Sequence, residues 1–376
     1  MQRDAAALKA ALADLEQRHL KRRRRTDVGG LVNFCSNDYL GLKAHPEVTC
    51  AFIAAAEKHG VGSGAADLVT GHGPEHAALE EELAAFTGRE KALVFSTGYM
   101  ANMGVISALA DQKAVIVSDK LNHASLIDGC RLSGADVRRY RHGDFAQAAE
   151  LLGAAAEETR LLVTDGVFSM DGDIAPLPEL AHAARHAKAW LVVDDAHGLG
   201  VLGATGRGSC EHHGLGSNDV PVLVGTFGKA FGTFGAFVAG DADLVEYLLQ
   251  KSRTYIYTTA LPPAVAAATR VSLRVSQRES WRREKARALA QRLRRAIGAA
   301  AAESSAGTTI VPVIVGDAAR ALALSAQLEA QGLLVAAIRP PTVPQGTARL
   351  RVTLSAAHEE AQVDGLADAL GKALAT

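Results

Sequence analysis

Two short apolar runs, Trp190-Leu191-Val192-Val193 and Val222-Leu223-Val224, constrain this chain more than any other feature. Both are rich in β-branched residues and stop at a polar, glycine-containing word. Runs of that length and composition suit buried strands of a parallel sheet. The first stops on Asp194-Asp195-Ala196-His197-Gly198 and the second on Gly225-Thr226-Phe227-Gly228-Lys229. In open α/β sheets, functional groups gather beyond the carboxyl ends of strands. One strand end therefore offers carboxyls and an imidazole, and another offers a lone lysine between glycines.

Similar runs recur along the chain, at 92–95, 114–117, 136–141, 160–164 and 234–239, between helical stretches at 46–59, 74–87, 144–157 and 178–188. This alternation predicts an α/β fold. After 251 the pattern changes. Residues 264–303 read as helical, followed by strands at 309–315, 333–337 and 347–354 and helices at 317–331 and from 358, a smaller α+β domain. With 376 residues and 48% hydrophobic content the chain suits about two domains. The expected division is 1–45 (N-terminal helix and segment), 46–250 (large domain) and 251–376 (small domain).

Several function classes drop out. A formal net charge of −1 gives no global attraction to nucleic acid or an anionic membrane. The basic run Lys21 to Arg25 reads as a solvated turn. No apolar stretch reaches the roughly 20 residues of a membrane span. Cys35, Cys50, Cys130 and Cys210 form no CxxC pair and no disulfide framework, which fits a reducing cytoplasm. His182 and His186 share a helix face, but no third ligand is spaced to complete a metal site. Gly198 to Gly203 matches GxGxxG after a strand. A dinucleotide loop also needs a helix opening within it and an acid closing the next strand. Here Gly206 and Gly208 follow, and Asp219 precedes the next strand.

A lone lysine at a strand end can form a Schiff base, and an Asp can pair with a pyridinium nitrogen. Together they equip a site for pyridoxal 5'-phosphate (PLP). The words Asp194-Asp195-Ala196-His197-Gly198 and Thr226-Phe227-Gly228-Lys229-Ala230-Phe231-Gly232 resemble the α-oxoamine synthases, which condense an amino acid with an acyl thioester. The resemblance runs from Asn33-Phe34-Cys35-Ser36-Asn37-Asp38-Tyr39-Leu40-Gly41 to Ser355-Ala356-Ala357-His358. It implies PLP-dependent transferase fold type I, with a large, mostly parallel seven-stranded sheet.

The resemblance also implies roles. Lys229 carries PLP, Asp194 faces the pyridine nitrogen, and His197 and Ser169 bond the ring oxygen. His123, in the word His123-Ala124-Ser125, stacks on the ring and meets substrate. Gly98 and Tyr99 offer backbone donors to the phosphate, helped by Thr226. Thr258 or Thr259 reaches the phosphate site of a second subunit, so an obligate homodimer is expected. Lys229, His123, Asp194 and His197 form the catalytic set. Asn37 and Arg351 attend the amino-acid carboxylate, and Arg22 and Thr342 the acyl group. The word Ala337-Ile338-Arg339-Pro340-Pro341-Thr342-Val343-Pro344 favours L-alanine and a pimeloyl thioester, on coenzyme A or acyl carrier protein. Members using glycine or serine differ there; an aminotransferase and a silent scaffold are further alternatives. Ala65-Ala66-Asp67 and Gly143 depart from the family pattern.

Overall fold

The computed structural model describes residues 5–22, 24–300 and 307–375, so Arg23 of the basic run lies outside the described residues. Helix α1 (Ala5–Gln17) and the short strand β1 (Val32–Asn33) come first. Next are α2 (Pro46–His59) and α3 (Pro74–Thr87), each with proline in its first turn, where its missing N–H is not needed. An alternating stretch follows: β2 (Lys91–Phe95), α4 (Gly98–Leu109), β3 (Ala114–Asp119), α5 (Ala124–Ser133), β4 (Asp136–Tyr140), α6 (Phe145–Gly153), β5 (Thr159–Asp165), α7 (Leu177–His186) and β6 (Trp190–Asp194). Then come α8 (Ser209–His212), β7 (Val222–Thr226), β8 (Ala236–Gly240), α9 (Ala242–Lys251), α10 (Arg253–Ile256), α11 (Pro263–Arg278) and α12 (Trp281–Ile297). The chain closes with β9 (Ile310–Gly316), α13 (Ala318–Glu329), β10 (Leu333–Leu334), β11 (Ala336–Ile338), β12 (Ala348–Thr353) and α14 (Glu360–Leu374).

The residues divide into two compact units. The larger comprises Asn37–Ser169 and Asp173–Lys285. Its sheet has seven strands in the order β2-β8-β7-β6-β5-β3-β4. Every pairing is parallel except the two made by β8. Helices cover both faces, which explains the near-continuous apolar strands. Val192 and Val163 pack on one side with Val105, Ile106 and Leu248. Their neighbours Leu191, Val193 and Leu162 pack on the other with Leu152, Leu177 and Leu180. Each such side chain contributes about 1.5–3 kcal/mol by leaving water. Asp194 is in register with Asp165 of β5 and Val224 of β7, so the carboxyl ends of β5 and β6 lie side by side and β7 runs on past them to Thr226.

The smaller unit comprises the residues up to Ser36, Met170–Gly172 and Ala286–Thr376. Its antiparallel sheet runs β11-β12-β9, with β1 paired separately to β10. Leu289, Leu293, Val313, Leu350, Val352, Leu366 and Leu370 form its core. The helical stretch expected over 264–303 is two helices as far as residue 300, and residues 301–303 lie outside the described residues. Glu279 leaves helical geometry at φ −105° and ψ 58°, and the carbonyl of Ser280, a residue favoured at helix starts, accepts the N–H groups of Arg283 and Glu284. Among the described residues no helix is long and apolar enough to cross a membrane.

Candidate active site

The site grows from the aligned strand ends of the larger unit. Asp194 closes β6 and is 6% exposed. Its Oδ1 accepts the Ala196 N–H at 3.0 Å, and its Oδ2 accepts Asn102 Nδ2 at 2.6 Å. Asn102 lies in α4, which starts at Gly98 directly beyond β2. Thr97 caps that helix, its Oγ1 accepting the Met100 N–H at 3.1 Å. The other opening N–H groups of such a helix have no intrahelical partner and favour an anion. A Cβ built on Gly98 would lie 3.9 Å from Thr226 Cβ, so the end of β7 borders this helix start. The Thr226 hydroxyl donates to Gly235 O at 2.9 Å, so it must turn to donate to an anion.

His123 caps α5. Its backbone N–H donates to Asp165 Oδ2 at 2.7 Å, and its Nδ1 lies 2.7 Å from Ser125 Oγ. Loss of hydration pushes the imidazole below its ordinary pKa; the Asp194 charge opposes this and Lys229 adds to it. The Tyr99 and His123 rings stand steeply inclined at 74° with centroids 6.4 Å apart, while the Tyr99 hydroxyl bonds Asp128. Asp165 is buried at the end of β5, and burial followed by the facing Asp194 charge pushes its carboxyl well up. Lys229, half-buried in the turn after β7, acts on both His123 and Asp165 through its charge. Lys229, His123, Asp194 and Asp165 therefore come together.

His197 is 6% exposed, and its Nδ1 lies 2.7 Å from the hydroxyl of the fully buried Tyr39. Asn37 Oδ1 lies 3.2 Å from the same hydroxyl. Ser169 is half-buried in the loop after β5. His142 braces the neighbouring loops, with Nδ1 3.1 Å from Asp119 Oδ1 and Nε2 2.9 Å from Asp173 Oδ2. Thr259 pairs with Ala66 in an isolated bridge, and its carbonyl accepts Ser96 Oγ at 3.4 Å, just before α4; Thr258 is half-buried beside it.

In the smaller unit Arg351 is buried on β12. Arg22 donates to Thr342 Oγ1 at 3.2 Å, which brings the two acyl-group candidates together. Arg339, which the sequence reading gave no role, donates to His19 O. Burial, then the neighbouring Arg22 charge, lowers its pKa. Elsewhere, His45, Glu47 and Glu279 approach as metal ligands could, but Arg278 pairs with both carboxylates and Arg282 with Glu279.

Asn102, Ser125, Asp165 and Tyr39 were also without roles in the sequence reading. For Asn102 a signal existed: Asn is unfavourable inside helices, so one in an apolar helical run needs a reason. The donor set fits PLP. The Asp194 carboxylate keeps lone pairs beyond the two in use, enough for a pyridinium N–H. The α4 start suits the phosphate, His123 offers an imidazole held toward its neutral form, and Lys229 offers the amine.

Comparison with known proteins agrees with this chemistry. Residues 30–370 match the family described as aminotransferase class I and II. The chain is 58% identical over 379 residues to the 8-amino-7-oxononanoate synthase of Methylococcus capsulatus, covering 97% of each. A serine palmitoyltransferase from S. paucimobilis, solved with PLP–myriocin aldimine bound, superposes with TM-score 0.91 at 33% identity, covering 99% of this chain and 98% of that one. The 8-amino-7-oxononanoate synthase of Francisella tularensis gives TM-score 0.80 at 31% identity, covering 92% and 98%.

Proposed function

The chain belongs to the 8-amino-7-oxononanoate synthases, PLP-dependent acyltransferases within aminotransferase class I and II, and from that premise we propose that it condenses L-alanine with a pimeloyl thioester. The products are 8-amino-7-oxononanoate, CO2 and the free thiol carrier. The observation that carries this reading is the meeting of Lys229 with His123 and Asp194 at the strand ends.

Bound there, PLP supplies an electron sink for negative charge developing at the amino-acid Cα. The residues do the rest. Asp194 would stabilise a protonated pyridine nitrogen, because an opposite charge at bonding distance favours the cationic form. Lys229 Nζ would hold the cofactor, and as a free amine it would take the Cα proton of alanine. The Cα carbon bonds to the thioester carbonyl carbon, the C–S bond breaks, and the thiolate leaves and takes a proton. The resulting β-keto acid loses its carboxylate as CO2, and a proton returns to Cα. His123 and His197 assist by holding donors toward the substrate and the ring oxygen, with Ser169. Gly98, Tyr99 and Thr226 would hold the phosphate.

Asn37 and Arg351 bind the alanine carboxylate; a guanidinium fork matches it in two hydrogen bonds. Arg22 and Thr342 attend the acyl group. The working form is a cytoplasmic homodimer, with Thr258 or Thr259 reaching the second subunit's phosphate site. The test is product detection by mass spectrometry with alanine, glycine or serine, each with pimeloyl-CoA or pimeloyl-acyl carrier protein. Product from alanine plus pimelate supports the reading. Turnover only with glycine or serine keeps the family and overturns the substrates.

A further inference from the structure

Asn102 and Ser125 lie behind the groups that act on the cofactor and substrate. Asn102 is 1% exposed and Ser125 is fully buried. Asn102 Nδ2 reaches two acceptors at once, Asp194 Oδ2 at 2.6 Å and Ser125 Oγ at 2.9 Å. A carboxylate only accepts, so the amide must present its NH2 to Asp194 and not its oxygen. The second hydrogen of that NH2 goes to Ser125 Oγ. The Ser125 hydroxyl proton is then free for its other neighbour, His123 Nδ1, at 2.7 Å. The Ser125 backbone N–H points at the same nitrogen, 3.3 Å away. Two donors aimed at Nδ1 require its lone pair to be there, which leaves the ring proton on Nε2.

We propose that Asn102 and Ser125 are positioning residues that fix His123 with its lone pair on Nδ1 and its proton on Nε2, and that tie this choice to the Asp194 carboxylate. Packing alone does not account for the pair. Asn102 Oδ1 is buried without a hydrogen-bond partner among the described residues, a cost an apolar side chain would avoid. The lowered imidazole pKa acts in the same direction by disfavouring a second ring proton.

The consequence is functional. Held in this form, His123 donates from Nε2 and cannot accept there. It can serve a carboxylate or carbonyl oxygen of the substrate, and proton removal from Cα falls to Lys229. The proposal rests on the cofactor site and not on which amino acid or thioester is used.

The test uses PLP-loaded protein labelled with 15N in its 13 histidines, without substrate, with His123→Gln identifying the signal. Nitrogen NMR should show Nδ1 unprotonated and Nε2 protonated through about pH 6–8, the range where histidines titrate. Ser125→Ala should mix the two tautomers and Ser125→Thr restore one. Asn102→Leu should also mix them, and should in addition move the pH at which the bound cofactor's visible absorption changes, because Asp194 loses its donor. In turnover, Ser125→Ala should lower kcat by roughly 10- to 100-fold with little change in KM for the amino acid, as loss of a group behind the reacting residues does. A proton on Nδ1 in the parent protein overturns the proposal. So does a tautomer unmoved by Ser125→Ala, even if turnover falls. Failure of the substrate assignment would appear in turnover alone and leave the nitrogen spectrum as expected.

Discussion

His197 Nδ1 lies 2.7 Å from the phenol oxygen of Tyr39, a contact between side chains 158 residues apart in the chain. It joins the Asn37-Asp38-Tyr39 word to the Asp194-Asp195-Ala196-His197 word. The phenol fixes the plane of the imidazole and so the direction of Nε2. Tyr39→Phe keeps the buried ring and removes that bond. A hydrogen bond of about 1 kcal/mol corresponds to roughly fivefold in rate. Steady-state kinetics should show kcat reduced by about that factor, and unfolding a stability loss of similar size. Unchanged kcat would mean that His197 is oriented by other groups.

Lys229 carries the strongest prediction about chemistry. Lys229→Ala should remove the pH-dependent visible absorption expected when PLP is joined to a lysine, while PLP stays weakly bound through the remaining contacts. Turnover should fall by at least about 10²–10⁴-fold, the scale of a lost general acid–base. Absorbance after reconstitution and dialysis checks the first part, and product formation the second. A variant with parent-like absorption would place the attachment on another lysine.

How much of this was legible beforehand depends on range. The strand ends were readable because buried parallel strands are apolar throughout and stop abruptly at the polar words, as Val193 does at Asp194. Asn102 was not, because its partners Asp194 and Ser125 lie 92 and 23 residues away in sequence and only folding brings them together. The glycine pattern from Gly198 onward shows how one local word can have two causes. In the fold these glycines make room for side chains. A Cβ on Gly198 or Gly208 would overlap the Asp195 carboxyl, and one on Gly203 would overlap Glu211. Gly208 also has φ +87°, a conformation that favours glycine. Spacing alone could not reveal that the space was taken.

His142 is held between two carboxylates, its ring near-perpendicular to Phe168 with centroids 4.4 Å apart. Burial works against its charge, but the hydrogen bonds that its ring N–H groups donate to Asp119 and Asp173 outweigh it and raise the pKa to about 10. An unfolded histidine titrates near about 6.5. The folded form therefore holds a proton that the unfolded chain has lost in the window between. The stabilisation is complete below about 6.5, declines as pH rises, and is lost above about 10. His142→Gln should destabilise the protein by about 2 kcal/mol near neutral pH, a buried-pair cost reduced for partial exposure. It should also flatten the fall in stability on the alkaline side. Urea unfolding at several pH values measures both.

Asp195 gives the opposite case, an acid whose charge is unwelcome. It is fully buried, its Oδ2 accepts the Ser209 N–H at 2.7 Å, and a Cβ on Gly166 would stand 2.6 Å from its Oδ1. Burial pushes its pKa up to about 7; Ser209 opposes, the Asp194 charge adds, and Arg89 opposes again. An unfolded Asp titrates near about 3.9. Between these values the folded state keeps a proton that the unfolded state releases, so stability must fall as pH rises through the window and level off above about 7. The slope is on the order of 1 kcal/mol per pH unit. Asp195→Asn cannot titrate, yet its amide oxygen can still accept the Ser209 N–H and its NH2 can face the Ser209 hydroxyl. Thermal unfolding from about pH 4 to 8 should show a flatter profile for the variant, with the largest gain over the parent at the alkaline end. A parent profile that rises across this window would mean that Asp195 is ionised in the folded state and that the positive charge of Arg89 outweighs burial.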